Sequence, residues 1–500
     1  MEIPQQLTRR GKFGLFAVLL AALIAAHSSD LRLPYFWDEA GYFIPAALDL
    51  STTGDPIPHS VIPIPHPPLV AASLAIAWHI FGFSFPVTRL TMLCWAALAL
   101  LGVYAMGEHL GGFGLGLAAC VCVFLYPVFF AQSALAQLDL PAAAMTLWAI
   151  VFYLQRRFLP TALFLSAAVL CKESAVVGVA AIVLAEFFAP ARRRLSLAIL
   201  ATPAVVLAAW LLFVYVRTGN VLGNSEFVRF NVTAALAPSR FMAALLHRIW
   251  DVAGHFFLFF LTIPAALSLR PVRARISRIP VALGITIVSY VLAFSLFGGS
   301  VLARYMLPAV VLMIVLCLCL ISMRWRYWWA LLPVVLGAFL IGLLIPPPYH
   351  YAYEENLAYR DFIAIHRQAA DVLSREHAEV ITTWPATDEL SKPFLGYVKT
   401  GLTIVAVPDL SLDSIQSAAR LCRGCAILFF PTQYEPPDSI LRPGAFLRRF
   451  EFWRKAQQQF ETRPGTLTPE AVAASTGAQI TWRMQQGPLY AAILRLPGTQ

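Results

Sequence analysis

The sequence predicts an α-helical polytopic membrane protein of about eleven transmembrane helices over residues 1–346, followed by a C-terminal extracytoplasmic α/β domain over residues 347–500. Three observations carry this reading. Of the 500 residues, 59% are hydrophobic and only 13% charged, and the mean hydropathy is +0.70, which excludes an ordinary soluble enzyme. Apolar runs of membrane-spanning length recur as far as Ile345, with arginines in short clusters between them. From Pro346-Pro347-Pro348 onward, charges, turn residues and short apolar alternations replace the long runs.

The net charge of +10 does not imply nucleic acid, because the basic residues fall where the positive-inside rule expects them. The first span, about Phe13 to Ala26, follows Arg9-Arg10-Gly11-Lys12 and has no small-residue cleavage motif after it, so it reads as a retained span rather than a signal peptide. Residues 30–86 then form an outer loop. Val70 to Phe81 is shorter than the roughly 20 residues needed to cross, and reads as an interfacial helix within that loop.

With that assignment the later basic clusters all fall inside. Span two (Val87 to Glu108) enters, span three (Phe113 to Phe130) leaves, and span four (Leu140 to Leu154) returns to Arg156-Arg157. The short segments Phe158 to Cys171 and Ala175 to Phe188 turn at Lys172-Glu173 outside and close at Arg192-Arg193-Arg194 inside. Span seven (Leu195 to Val216) leads to an outer loop with interfacial helices from Arg217 to Asp251. Span eight (Val252 to Leu269) returns to Arg270, Arg273, Arg275 and Arg278. Span nine (Pro280 to Phe297) ends before Arg304-Tyr305 at the head of span ten, Arg324 and Arg326 lie inside, and span eleven (Trp328 to Ile345) delivers the tail outside.

In the tail, Val380 to Thr383, Leu402 to Val407 and Ala426 to Phe430 read as parallel strands alternating with helices around Tyr359 to Glu376 and Leu412 to Leu421. Gln479 to Met484 and Leu489 to Leu494 read as a hairpin. No glycine-rich phosphate loop is present. Cys94, Cys120, Cys122, Cys171, Cys317 and Cys319 lie in apolar runs, where cysteine is a packing residue. Cys422-Arg423-Gly424-Cys425 has the spacing of a short-loop disulfide or of half a metal site, and no second cysteine pair accompanies it.

Charged side chains at a membrane boundary are costly unless hydrated or paired. Asp38, Glu39, His66, Asp139, Lys172, Glu173 and Arg304 all fall on the outer side by the parity of the spans. A carboxylate there can take a proton from an attacking hydroxyl, and a lysine with an arginine can hold a phosphate. Each residue also has a structural reading: Asp38-Glu39 as a hydrated pair or helix cap, Trp37 and the tyrosines as an interfacial belt, His66-Pro67 as a helix start. Asp139 can cap span four, Lys172-Glu173 can be a local ion pair, and Arg304 an interface anchor.

The Phe36-Trp37-Asp38-Glu39-Ala40-Gly41-Tyr42 loop after span one, His66-Pro67-Pro68-Leu69 before an interfacial helix, and Asp139 opening span four resemble the protein O-mannosyltransferase and aminoarabinose transferase group of GT-C glycosyltransferases. The resemblance covers roughly residues 1 to 346. It implies inverting transfer of a sugar from a polyprenyl-phosphate donor to an extracytoplasmic lipid, glycan or protein acceptor, at the outer face of the cytoplasmic (inner) membrane. Asp38 would be the general base and Glu39 its partner. Tyr42, His66, Asp139, Lys172, Glu173, Arg304 and Tyr305 would bind substrate, with Lys172 and Arg304 on the lipid phosphate. No cofactor is implied, and a monophosphate donor held by basic residues needs no metal. Two departures matter: no outer loop is long enough for a β-trefoil insertion, and the second outer loop offers only Asp139 as a carboxylate. A transporter or flippase of lipid-linked sugars, or a non-catalytic envelope assembly subunit, are the alternatives. The acidic groups gathered at one face, rather than at the bilayer midplane, favour the transferase.

Overall fold

A computed structural model describes residues 9–189, 193–224, 238–269, 281–297, 300–347, 349–376, 378–422, 424–431, 467–487 and 489–497. Arg192, Arg270, Arg273, Arg275, Arg278 and Arg423 lie outside the described residues. The chain divides into two compact units, residues 1–31 with 46–346, and residues 32–45 with 347–500. The segment 32–45, read from sequence as part of the membrane domain, belongs by its contacts to the second unit.

The first unit is built of helices: α1 (Arg9–Ala26), α2 (Ile44–Thr53, whose first two residues fall in the second unit), α3 (Leu69–Phe81), α4 (Phe85–Gly111), α5 (Phe113–Leu125), α6 (Pro127–Ala134), α7 (Asp139–Leu154), α8 (Phe158–Cys171), α9 (Val176–Phe187), α10 (Arg194–Thr218), α11 (Pro238–Ala253), α12 (Phe259–Ser268), α13 (Val281–Leu296), α14 (Leu307–Arg324) and α15 (Leu332–Leu344). Among the described residues three are long and apolar enough to cross a membrane: α4, α10, and α14 with the turn before it. Two bent pairs bring the number to five, and the remaining apolar helices are shorter. The count of eleven therefore rests on the parity of the basic clusters and not on helix length.

Two expected spans are broken. Span three bends by 70° between α5 and α6, because Tyr126 is extended (φ −64°, ψ 123°) ahead of Pro127, whose ring disfavours a helical residue before it. Span eight begins only at Phe259. Val252 and Ala253 end α11, and Phe256 and Phe257, with φ of 47° and 66°, turn the chain by 107°. Along α11, Met242, Leu246, Ile249 and Trp250 are exposed at helical spacing, the surface expected of a helix lying in an interface. The helix after His66 starts at Leu69, so Pro67 precedes it rather than forming its first turn. Its 13 residues extend about 20 Å, too short to cross.

α8 and α9 form a helical hairpin closed at its base by one carboxylate. The fully buried Glu186 accepts hydrogen bonds from Arg156 Nη1 (2.7 Å) and Nη2 (3.3 Å), from Tyr153 Oη (3.1 Å) and from Ser196 Oγ (2.8 Å). This ties the end of α9 to the end of α7 and the start of α10, and leaves Lys172-Glu173 at the hairpin's far tip. Glu186→Ala removes the acceptor of the buried Tyr153 hydroxyl and the partner of Arg156, and should lower stability by about 2 kcal/mol. Thermal unfolding in detergent, with Glu186→Gln as the milder variant, checks this.

The second unit holds a five-stranded sheet in the order β2-β1-β3-β5-β4, with β1 (Val380–Thr382), β2 (Ile404–Ala406), β3 (Ala426–Phe429), β4 (Gln479–Gln486) and β5 (Leu489–Arg495). β1 pairs parallel with β2 and β3, and β5 runs antiparallel to both β3 and β4, so the sheet is mixed. The central β3 is an unbroken buried apolar run, as a strand covered on both faces requires. The helix α16 (Ala358–Glu376) buries Phe362, His366, Ala369, Ala370 and Leu373 along one side. Cys422 and Cys425 are joined as a disulfide.

Candidate active site

The sequence-selected residues fall into two groups. His66, Asp139, Lys172, Glu173, Arg304 and Tyr305 belong to the first unit, and Asp38, Glu39 and Tyr42 to the second.

In the first unit, Asp139 is the first residue of α7, where an acidic group suits the helix dipole, but no side chain caps this helix. Its carboxylate is instead clasped by two cations. Lys172 Nζ lies 2.6 Å from Oδ1, and Arg304 Nε lies 3.4 Å from Oδ2. All three side chains are buried. The Tyr305 ring completes the group, with Lys172 Nζ 4.1 Å and the Arg304 guanidinium 5.4 Å from its centroid. Burial alone would pull the Lys172 ammonium down, but Asp139 and the Tyr305 oxygen outweigh it and raise its pKa, so the lysine stays charged.

Next along the chain, Glu173 Oε2 lies 2.8 Å from His66 Nδ1. Burial pushes the Glu173 carboxyl up, yet His66 and Lys172 hold it below its ordinary 4.5. The His66 loop is fastened from α10 and the turn beyond it. Trp210 Nε1 donates to the Pro65 carbonyl (2.8 Å), and Asn224 Nδ2 donates to that of Pro63 (2.9 Å). Gly223, at φ +77°, lies so close that a Cβ would come within 2.5 Å of the Pro63 oxygen.

Sequence reasoning missed Arg248. It is fully buried in α11, donates to Asp251 Oδ2 (3.0 Å) and to the carbonyls of Leu302 (2.8 Å) and Ser300 (3.3 Å), and lies 5.9 Å from the Tyr305 ring. It thereby fixes the segment that carries Arg304. An Arg-Asp pair three residues apart in an amphipathic helix was the available signal.

In the second unit, Asp38 is part-exposed, whereas Glu39 is fully buried and its Oε2 accepts from the Phe36 N–H (2.8 Å). Glu39 therefore closes the turn on which Asp38 stands. Tyr42 is part-buried with its ring against Phe43. Among the described residues the grouping with metal-ligand spacing is Glu379 with Cys422 and Cys425, in this unit; the two sulfurs are bonded to one another.

Over nearly its whole length the chain has a fold similar to that of ArnT. Residues 65–217 match the family model described as dolichyl-phosphate-mannose-protein mannosyltransferase. That stretch contains His66, Asp139, Lys172 and Glu173, while Asp38, Glu39, Tyr42, Arg304 and Tyr305 fall outside it. Among solved structures, ArnT from Cupriavidus metallidurans in the apo state is 13% identical at a TM-score of 0.57, covering 98% of this chain and 99% of that one. The same protein bound to undecaprenyl phosphate is 13% identical at a TM-score of 0.56, covering 99% and 100%. The archaeal oligosaccharyltransferase AglB from Archaeoglobus fulgidus is 13% identical, covering 83% and 69%, and its TM-score of 0.47 marks a distant likeness only. No curated protein sequence matches the chain significantly. The structural likeness extends into the C-terminal residues, beyond the 1–346 covered by the motifs.

Asp139→Asn leaves two buried cations without their shared counter-ion and should cost about 3 kcal/mol, read as a lowered unfolding midpoint in detergent. Because the Glu173 pKa is lowered on folding, the stability this carboxylate contributes is fully present above its unfolded value and is lost as pH falls through the lower folded one. The difference in unfolding midpoint between wild type and Glu173→Gln should hold from neutral pH down to about 4.5, and shrink below that.

Proposed function

We propose that the protein is a polyprenyl-phosphate-dependent glycosyltransferase of the cytoplasmic membrane, working on its periplasmic or extracellular side through about eleven spans. The observation that carries this reading is the pair of buried cations, Lys172 and Arg304, sharing the single carboxylate of Asp139 in an apolar helical unit. Two cations on one carboxylate leave a net positive charge, and a site of that sign beside Tyr305 suits the single phosphate that links a lipid to a sugar. The fold shared with ArnT, one of whose structures holds undecaprenyl phosphate, supports the same choice.

In this mechanism Lys172 and Arg304 bind the donor phosphate and neutralise the charge that grows on it as the glycosidic bond breaks. Arg248 holds the Arg304 segment in place. Asp38 accepts the proton of the acceptor hydroxyl as that oxygen attacks the anomeric carbon opposite the phosphate, which inverts its configuration. Glu39, accepting from the Phe36 N–H, orients the turn that carries Asp38. His66, held by Glu173, and Tyr42 contact the sugar or the acceptor.

The test is transfer by purified protein in detergent from radiolabelled undecaprenyl-phosphate mannose, glucose and aminoarabinose, with a membrane extract as acceptor. Wild type should move label. Asp38→Asn should bind donor normally but lose roughly 10²–10⁴ in kcat, whereas Lys172→Ala and Arg304→Ala should weaken donor binding about tenfold or more. Equal transfer by wild type and Asp38→Asn removes Asp38 from the mechanism. No transfer, with donor instead crossing reconstituted vesicles, replaces the transferase with a transporter.

A further inference from the structure

The turn that carries Asp38 is strained, and its restraint comes from the C-terminal residues. Trp37 has a φ of +49°, a region that a bulky residue occupies only under strain. Such a conformation persists only where the surroundings over-determine it. Trp37 is itself part-exposed, so burial of its own ring is not the whole restraint.

The surroundings are a set of aromatic rings. The Trp37 ring meets Trp384 edge-on at 5.2 Å and Phe362 at 5.5 Å, and the adjacent Phe36 meets Phe362 at 5.3 Å. Trp384 also lies against the backbone of Gly41, where an added Cβ would fall within 2.1 Å of its Nε1. No side chain fits at position 41 while Trp384 keeps its place. On the other side of the turn, Tyr35 N–H donates to the Leu395 carbonyl (3.2 Å), and Tyr397 Oη donates to the Tyr35 carbonyl (3.1 Å).

Phe362 in turn cannot yield. His366 stacks on it at 3.8 Å, Phe430 packs against both rings, and His366 Nδ1 is anchored 2.6 Å from the buried Glu389. Every residue in this chain of contacts lies in the second compact unit.

We infer that Trp384, Phe362 and Tyr397 are positioning residues for Asp38: they hold Trp37 in its left-handed conformation and so fix the backbone from which the carboxylate of the base projects. This rests on the reading of Asp38 as the base. It gives the C-terminal α/β residues a part in the transfer step, and it separates that part from donor binding, which falls to the cations of the first unit. A displacement of about 1 Å in a reacting group can cost on the order of 10²-fold in rate, so loosening the turn lowers kcat without touching donor affinity.

The experiment uses the full-length protein and the donor that the transfer panel identifies. It compares wild type, Trp384→Ala, Trp384→Phe, Gly41→Ala and Asp38→Asn for kcat, for binding of undecaprenyl phosphate, and for unfolding midpoint. Trp384→Ala and Gly41→Ala should lose roughly 10- to 100-fold in kcat with donor binding unchanged, Gly41→Ala with a lowered midpoint as well because its Cβ displaces Trp384, and Trp384→Phe should restore most of the rate. Wild-type kcat in both Trp384→Ala and Gly41→Ala, with Asp38→Asn inactive, overturns the positioning role and leaves the base in place. A loss of rate matched by a loss of donor affinity overturns it equally, since that is what a merely structural role produces. Should Trp384→Ala fail to fold, Gly41→Ala decides. Full activity in Asp38→Asn removes the base itself, and this inference with it.

Discussion

The carboxylate of Asp139, held between Lys172 and Arg304, is the interaction on which the first unit's polar chemistry depends. Three charges from three separate elements are buried in a helical body of apolar residues. None could stay there alone, because an uncompensated buried charge costs several kcal/mol. The clasp makes each side chain tolerable and leaves one positive charge over. Around it the scaffold is stiff: the α8–α9 hairpin is knotted at its base by Glu186, the Arg304 segment is pinned by Arg248, and the His66 loop is fastened by Trp210 and Asn224.

Much of this was legible because charge is scarce. In a chain with 13% charged residues, a lysine-glutamate step between two apolar runs, or an aspartate opening a span, stands out. Counting spans then put Asp139, Lys172 and Arg304 on one side, and the structure brings those three into contact. Their division of labour was not legible. Asp139 read as a helix cap or as a sugar contact, and its geometry is that of a counter-ion. The tie from Arg248 to the Arg304 segment was hidden because it runs to backbone carbonyls at 300 and 302, which no side-chain pattern encodes.

The breaks and the long-range packing were harder still. Pro127 signalled the bend after Tyr126, but a hydropathy run passes smoothly over it. The turn at Phe256-Phe257 uses positive φ in residues that carry no such preference. The attachment of 32–45 to the C-terminal unit joins residues more than 300 positions apart, such as Tyr35 and Tyr397, through aromatic contacts without local periodicity. The tail's strands, in contrast, showed as short apolar runs between turn residues and fall at 380–382, 404–406 and 426–429.

The helical hairpin that presents Lys172 is short. α8 has 14 residues, so its tip stands only about 21 Å above the Glu186 knot, against a hydrocarbon slab of roughly 30 Å. With the arginines at its base at the level of one headgroup layer, the tip ends below the opposite one. In the proposed topology, water and headgroups would sink toward it, thinning the bilayer on that side. On the proposed function, a carrier lipid arriving there would keep its phosphate hydrated until it met the lysine, with its first isoprene units already within the hydrophobic layer.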